Sequence, residues 1–268
     1  MTHFPWKGLQ PLKALLAVGL LLVTFAGGEE TKKEEAAKQA LPDIGNREEL
    51  KLPGLTIRTE ERYVDVDATV CLGKGYLELI ACTKDSKEHE SIIAVEAKAA
   101  HIHAGLLLLK AIPGSPAIMR RTEDGRWIDI RASGSEVDVF LAFKDEKGEE
   151  KEFPISAFIQ RAEEQEIHTP DAADKEKEDK RRFPTHTFLF AGSQLYKGDD
   201  GKARYLSDES GNVISLSTFG DELLCLPGKH SQDNAALSWE INSEHLPPVG
   251  TKVILRLKPK QAAPAETE

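Results

Sequence analysis

The 268 residues contain three cysteines, Cys71, Cys82 and Cys225, and no Cys-x-x-Cys pair. Iron–sulfur ligation, zinc ribbons and thioredoxin-type chemistry are thereby disfavoured, and an odd count is not a complete disulfide framework. If residues 72–75 close a hairpin, Cys71 faces about Leu77 and Cys82 about Val66, so the two thiols are not opposite one another. All three read as small buried hydrophobes. The sequence also lacks a Gly-rich phosphate loop, a Gly-x-Ser-x-Gly elbow and an internal repeat. It has no excess of positive charge: the formal net charge is −10, which leaves no electrostatic case for binding nucleic acid or an anionic membrane surface.

Long apolar runs are missing apart from one at the start. Lys7 and Lys13 accompany a low-polarity run over residues 14–26, small residues follow through Gly27-Gly28, and charge begins at Glu29. These are the three parts of a signal peptide. The run of about 13 residues is short of the roughly 20 that a spanning helix needs. With no cysteine at the cut for a lipid, residues 1–28 are expected to direct export to the periplasm or cell envelope. An uncleaved N-terminal anchor is the alternative and the sole expected membrane attachment.

What remains is patterned. Residues 29–52 are rich in Glu, Lys and Ala with no apolar stripe, as in a solvated linker. Pro53-Gly54 opens a single domain expected over 53–260, followed by a polar tail at 261–268. Val64, Val66, Ala68 and Val70 alternate with polar residues, as do Val137, Val139, Leu141 and Phe143. Asp124-Gly125 predicts a hairpin turn before Trp127. Residues 76–83, 91–96, 187–191, 204–207, 213–218 and 252–257 are further strand candidates. Ile102, Leu106 and Leu109, thickened by Leu107 and Leu108, predict one strongly buried helix over about 99–111. A short second helix is expected at about 219–226. The charged stretch at 163–182 reads as a surface excursion. Together these predict an α+β domain, mostly antiparallel strands around one principal helix.

Chemistry concentrates at Lys87-Glu88-His89-Glu90-Ser91 and His101-Ile102-His103, which place three of the eight histidines within fifteen residues. Imidazole beside carboxylate suits both metal ligation and acid–base work. Two histidines two apart on a helix diverge by about 200°, so a metal would take His89, Glu90 and one of the pair, His103 being the candidate. The same residues equally suit a polar turn and a core histidine. Phe190-Ala191-Gly192-Ser193 follows a strand and places Ser193 either in a turn or near a ligand.

Gly75-Tyr76-Leu77-Glu78, Cys82, residues 87–91, His103-Ala104, Leu106 to Leu109 and Pro113-Gly114-Ser115-Pro116 resemble the YdjY-like domain. Phe190-Ala191-Gly192-Ser193, Phe219-Gly220-Asp221 and Pro247-Pro248-Val249-Gly250-Thr251 look like its second half, in order. The resemblance covers most of 53–258 and implies an exported protein of planctomycete-type bacteria, with no established reaction. Some relatives are joined to ferredoxin-type modules, but this chain has no cluster cysteines. It departs from the family at Phe188-Leu189, where a Trp-Val-like pair is usual, and in the stretch at 163–182.

The expected function is therefore an exported, non-catalytic binding or envelope-associated domain. A small ligand or envelope protein would contact Lys87, Glu88, His89, Glu90, His103 and Ser193. The rival is a metal-dependent or acid–base enzyme centred on His89, Glu90 and His103. Convergence of those three in a concave pocket would favour the rival. No cofactor is indicated.

Overall fold

Alternation of apolar and polar residues builds staves that are buried on one side. In the strand Tyr63–Val70, Val64, Val66, Ala68 and Val70 are buried, and Asp65 and Asp67 face out. The computed structural model describes residues 48–162, 181–228, 230 and 238–261. The expected signal peptide, residues 29–47 of the linker, most of the charged excursion and nearly all of the tail lie outside the described residues, and the end of the expected linker, Glu49–Leu52, is a strand.

In chain order the elements are β1 (Glu49–Leu52), β2 (Leu55–Arg58), β3 (Tyr63–Val70), β4 (Leu79–Thr83), β5 (Ser91–Val95), α1 (Ala99–Leu108), β6 (Pro113–Ser115), β7 (Ile118–Arg121), β8 (Trp127–Ile130), β9 (Ser133–Gly134), β10 (Glu136–Lys144) and β11 (Glu150–Pro154). They continue with β12 (Ile159–Arg161), β13 (Thr187–Phe190), β14 (Leu195–Lys197), β15 (Ala203–Tyr205), α2 (Leu206–Ser210), β16 (Asn212–Ser215), β17 (Leu224–Cys225), β18 (Trp239–Ile241) and β19 (Lys252–Pro259). Two 3-10 turns, Glu88–Glu90 and Ile155–Phe158, link strands.

The circuit β3-β19-β10-β13-β17-β16-β4-β5 closes on itself because β5 also pairs β3, giving an eight-stranded barrel. Strand occupies 45% of the structure and helix 12%, so the expected α+β class is replaced by a mostly-β one. The alternating signal was read correctly in β3 and β10, while β17 fell within the segment expected as a helix. What it does not contain is closure, which depends on β5 bonding β3 on one edge and β4 on the other. The expected hairpin of residues 70–80 is absent for the same reason: β5 lies between β3 and β4.

Inside the barrel, Val137, Val139 and Leu141 of β10 meet Val253, Leu255 and Leu257 of β19 and Phe188 and Phe190 of β13. Each such burial contributes about 1.5–3 kcal/mol. Outside, Arg256 stands directly opposite Asp65 in the β19–β3 register and grips it at 2.7 and 2.9 Å. Two hairpins extend the barrel wall: β1–β2 continues from the first half of β3, and β11 pairs the second half of β10.

Helix α1 exists, but only one face is buried. Ala99, Ile102, Gly105 and Leu106 pack inward, and Gly105 lets the helix lie against Val64 and Ile57. Leu107 and Leu108 are exposed, which corrects the expectation of one strongly buried helix whose apolar stripe they thicken. The expected helix at 219–226 is not formed. Glu222 is fully buried and accepts the backbone N–H groups of Phe219 (3.1 Å) and Asp221 (2.6 Å), which holds the segment as a loop before β17. The short helix sits instead at α2, stopped by Gly211 at φ 83°.

Candidate functional site

Residues 84–91 turn the chain from β4 back into β5. The Asp85 backbone N–H donates to Glu88 Oε1 (3.0 Å), and the Ser91 hydroxyl donates to the Lys87 carbonyl (2.8 Å). The turn is packed against Gly211, where a Cβ would fall 2.3 Å from Ser86 Oγ. From this base Lys87 reaches two ways: its Nζ lies 3.8 Å from Glu90 Oε1 and 3.8 Å over the Phe219 ring. His89 stands out on the crest, its side chain 78% exposed, with Nε2 3.6 Å from Glu90 Oε2. Beside Glu90 is Glu78, a carboxylate not singled out in the sequence. Burial, then the Glu90 charge, raise its pKa above the ordinary carboxylate value.

The Phe219 loop continues the patch inward. Gln194 Nε2 donates to the Gly220 carbonyl (3.3 Å), and the Ser193 hydroxyl donates to the Asp221 carbonyl (2.5 Å). Ser193 Oγ also accepts the Ser207 N–H (3.1 Å), and the Ser193 N–H donates to the Glu222 carbonyl (3.2 Å). Both Gly192 (φ 83°) and Ser193 (φ 47°) are left-handed. At Gly192 a side chain is also excluded by space, since a Cβ would lie 2.7 Å from Pro113 Cβ.

His103 lies under this corner. Its Nδ1 is 2.8 Å from the Tyr205 hydroxyl, which is itself 2.8 Å from the Gly192 carbonyl. A carbonyl only accepts, so Tyr205 donates to Gly192, and its oxygen accepts from a protonated Nδ1 of His103. The imidazole packs edge-on against Phe190 at 4.8 Å. Burial lowers its pKa, against the opposing contact with the Gly192 backbone, and so favours the neutral ring. Tyr205 also lies beside Ser193 and is raised, chiefly by burial.

Asp221 accepts the Asn212 side-chain N–H (2.6 Å), and the Asn212 side-chain oxygen is buried without a partner among the described residues. Burial raises the Glu222 carboxyl above its ordinary value.

One unbroken path of contacts thus runs from Lys87 through Phe219, Gly220 and Asp221 to Ser193, Gly192, Tyr205 and His103. Lys87, His89 and Glu90 touch one another on the rim, while Glu88 bonds back into the turn. The described contacts of His103 are with Tyr205, Phe190 and Gly192, and those of Ser193 with the corner loops, so these two are not grouped with His89. Among the described residues, no three His, Cys, Asp or Glu side chains are placed to hold a metal ion. Tyr205, Asn212 and Glu222 were not foreseen. Their only sequence signal was adjacency to turn residues, because the contacts that matter span up to 102 positions.

Beside the corner lies an open groove of about 620 Å³, lined by Ile112, Pro113, Gly114, Ser135, Glu136 and Lys260 among others. Pro113 connects it to Gly192. No helix among the described residues is long and apolar enough to cross a membrane.

The fold and patch define a mostly-β closed-barrel domain with a polar corner at one part of its wall and an exposed charged turn beside it. The family follows directly: the model of the YdjY domain matches residues 55–258, and the chain belongs to that family. Neither a curated protein nor a solved structure matches it.

Proposed function

We propose that the chain is an exported, non-catalytic binding domain of the periplasm or cell envelope, and that its ligand or partner meets the turn at residues 87–90. The observation behind this reading is the division of polar groups along the contact path. In the corner, the His103 Nδ1, the Tyr205 hydroxyl and the Ser193 hydroxyl bond other parts of the domain. That is support for a rigid scaffold rather than a base poised beside a free nucleophile. On the rim, His89 points to solvent, the disposition of a group held out for recognition. The groove at Pro113 supplies a neighbouring concavity for a small ligand.

A photo-crosslinking residue placed at 89 in the native cell tests this, with the same residue at Lys147, in the turn between β10 and β11, as control. The expected result is a discrete adduct from 89, absent from 147 and reduced by Glu88→Lys or Glu90→Lys. No adduct from 89, or the same adducts from both positions, would contradict the reading.

The alternative, a metal-dependent or acid–base enzyme centred on His89, Glu90 and His103, has its His103 ring turned to Tyr205, Phe190 and Gly192. It requires the ring to give up the Tyr205 contact during turnover.

A further inference from the structure

Residues 113–134 leave the barrel as a ribbon. Among the described residues β6 pairs only β9 and β7 only β8, so neither tier is joined to the barrel sheet. The foot is fixed by contact: at Gly114 a Cβ would run into the Ser133 backbone, and at Gly134 into the Phe190 carbonyl. The upper tier has no such support. A two-stranded hairpin alone is marginally stable in water, and here the turn supplies what packing does not. The Thr122 N–H donates to the Arg126 carbonyl (2.8 Å), the Gly125 N–H to the Thr122 carbonyl (2.9 Å), and Arg126 Nε to Asp124 Oδ2 (2.6 Å). The arm is shaped before anything covers it.

Its two faces differ. Ile118 stands opposite Ile130, and Arg120 opposite Ile128. A Cβ built at Gly220 would lie 3.7 Å from Ile118 Cγ2, so this face turns toward the body of the domain. The other face carries Met119 opposite Asp129 and Arg121 opposite Trp127. It looks outward, with Trp127 62% and Met119 50% exposed. Tryptophan, methionine and arginine together are the composition of an interface centre rather than of free surface. The ribbon also concentrates positive charge, with four arginines against three carboxylates on a chain of net charge −10. At its foot lies the open groove, where Ile112 is 64% exposed and Glu136 supplies a carboxylate beside Lys260. Ile112 is suited to an apolar cover and Glu136 to a cation, which the arm presents in Trp127 and Arg121.

We propose that the ribbon is a dimerisation arm and that its partner is a second copy of this chain. Trp127 and Met119 of each copy seat in the groove of the other, and Arg121 pairs with the partner's Glu136. A strand rises about 3.3 Å per residue, so the tip at Trp127 stands about 20 Å from the foot at Ser133 and does not reach its own groove. A second arm laid antiparallel beside the first puts each tip at the other's foot. The contact is then self-complementary and closes on a two-fold axis, with no open end from which a filament could grow. The turn at 87–90 takes no part in this surface, so dimerisation and recognition at that turn stand or fall separately.

Sedimentation equilibrium of the full chain tests this. The wild type should be a dimer that falls to monomer on dilution. Trp127→Ala should weaken the dimer about tenfold or more. Arg121→Glu and Glu136→Arg should each be monomeric where the wild type is dimeric, because each sets like charges against one another at both contacts. An equimolar mixture of these two variants should dimerise again, since in the mixed pair each arm meets a groove of opposite sign. An unfolded variant could not give that rescue. A wild-type chain that stays monomeric at every concentration, a dimer indifferent to Trp127→Ala, or two charge variants that do not restore each other on mixing would overturn the proposal. A monomer whose Trp127 fluorescence shifts on adding an anionic polysaccharide would also overturn it and give the arm to that ligand instead.

Discussion

His89 and His103 belong to adjacent parts of one patch, and their imidazoles have opposite surroundings. His89 sits on a crest with its ring in solvent and a carboxylate 3.6 Å away. His103 is packed on Phe190 and tied through Tyr205 to the backbone of Gly192. Residue type alone made the two equivalent in the sequence. The difference lies in which neighbours the chain delivers. Around His89 these come from the same turn, so its setting is local and adaptable. Around His103 they come from β13, β15 and the loop after β13, so its setting depends on the fold being closed. A rim that can be altered at little structural cost, set on a corner that cannot, is an arrangement suited to recognition.

The largest effect that would break this contrast is Gly192→Ala. The substitution meets both a left-handed backbone and the Pro113 side chain, and it should cost about 2–4 kcal/mol in urea unfolding. Next is Tyr205→Phe, which leaves His103 Nδ1 and the Gly192 carbonyl without their shared partner. A loss of about 1–3 kcal/mol is expected, measured the same way. A smaller effect appears in the pH dependence. Because burial lowers the His103 pKa, the unfolded chain takes up the proton first. Its contribution is present above the ordinary imidazole value of about 6.5 and is lost as pH falls below it. Unfolding of the wild-type chain compared with His103→Gln between pH 8 and pH 5 should show that term vanish in the variant. The smallest effect is His89→Ala, which should change stability by no more than about 0.5 kcal/mol. A larger loss at 89 than at 205 would reverse the comparison.

Part of this was legible in the sequence. Residues 63–70 and 252–259 bury every second side chain, and 136–144 does so as far as Leu141, because one face of each stave meets the core; all three read as strands. Asp124-Gly125 marked the β7–β8 hairpin, and the helix over 99–108 was visible in Ile102 and Leu106. The barrel was not legible. Periodicity reports which way a side chain faces, not which strand lies beside it, and β16–β17 and β4–β5 pair in parallel where mostly antiparallel strands were expected. The segment 219–226, expected as a short helix, is instead a loop leading into β17. What prevents a helix there is the Glu222 carboxylate occupying the amides of Phe219 and Asp221. The family motifs named residues 87–91, His103 and residues 190–193 as separate segments, without showing that contacts through Tyr205 and Phe219 join them over long range.

The claim at the centre of the account is that the corner's acid–base groups are bound into the domain. Long-range nitrogen–proton spectra of the histidine side chains test it most directly. The account predicts that His103 is neutral at pH 7 with its proton on Nδ1, shared with a Tyr205 hydroxyl that exchanges slowly with water. A His103 ring protonated on Nε2 alone, or charged at that pH, would contradict it.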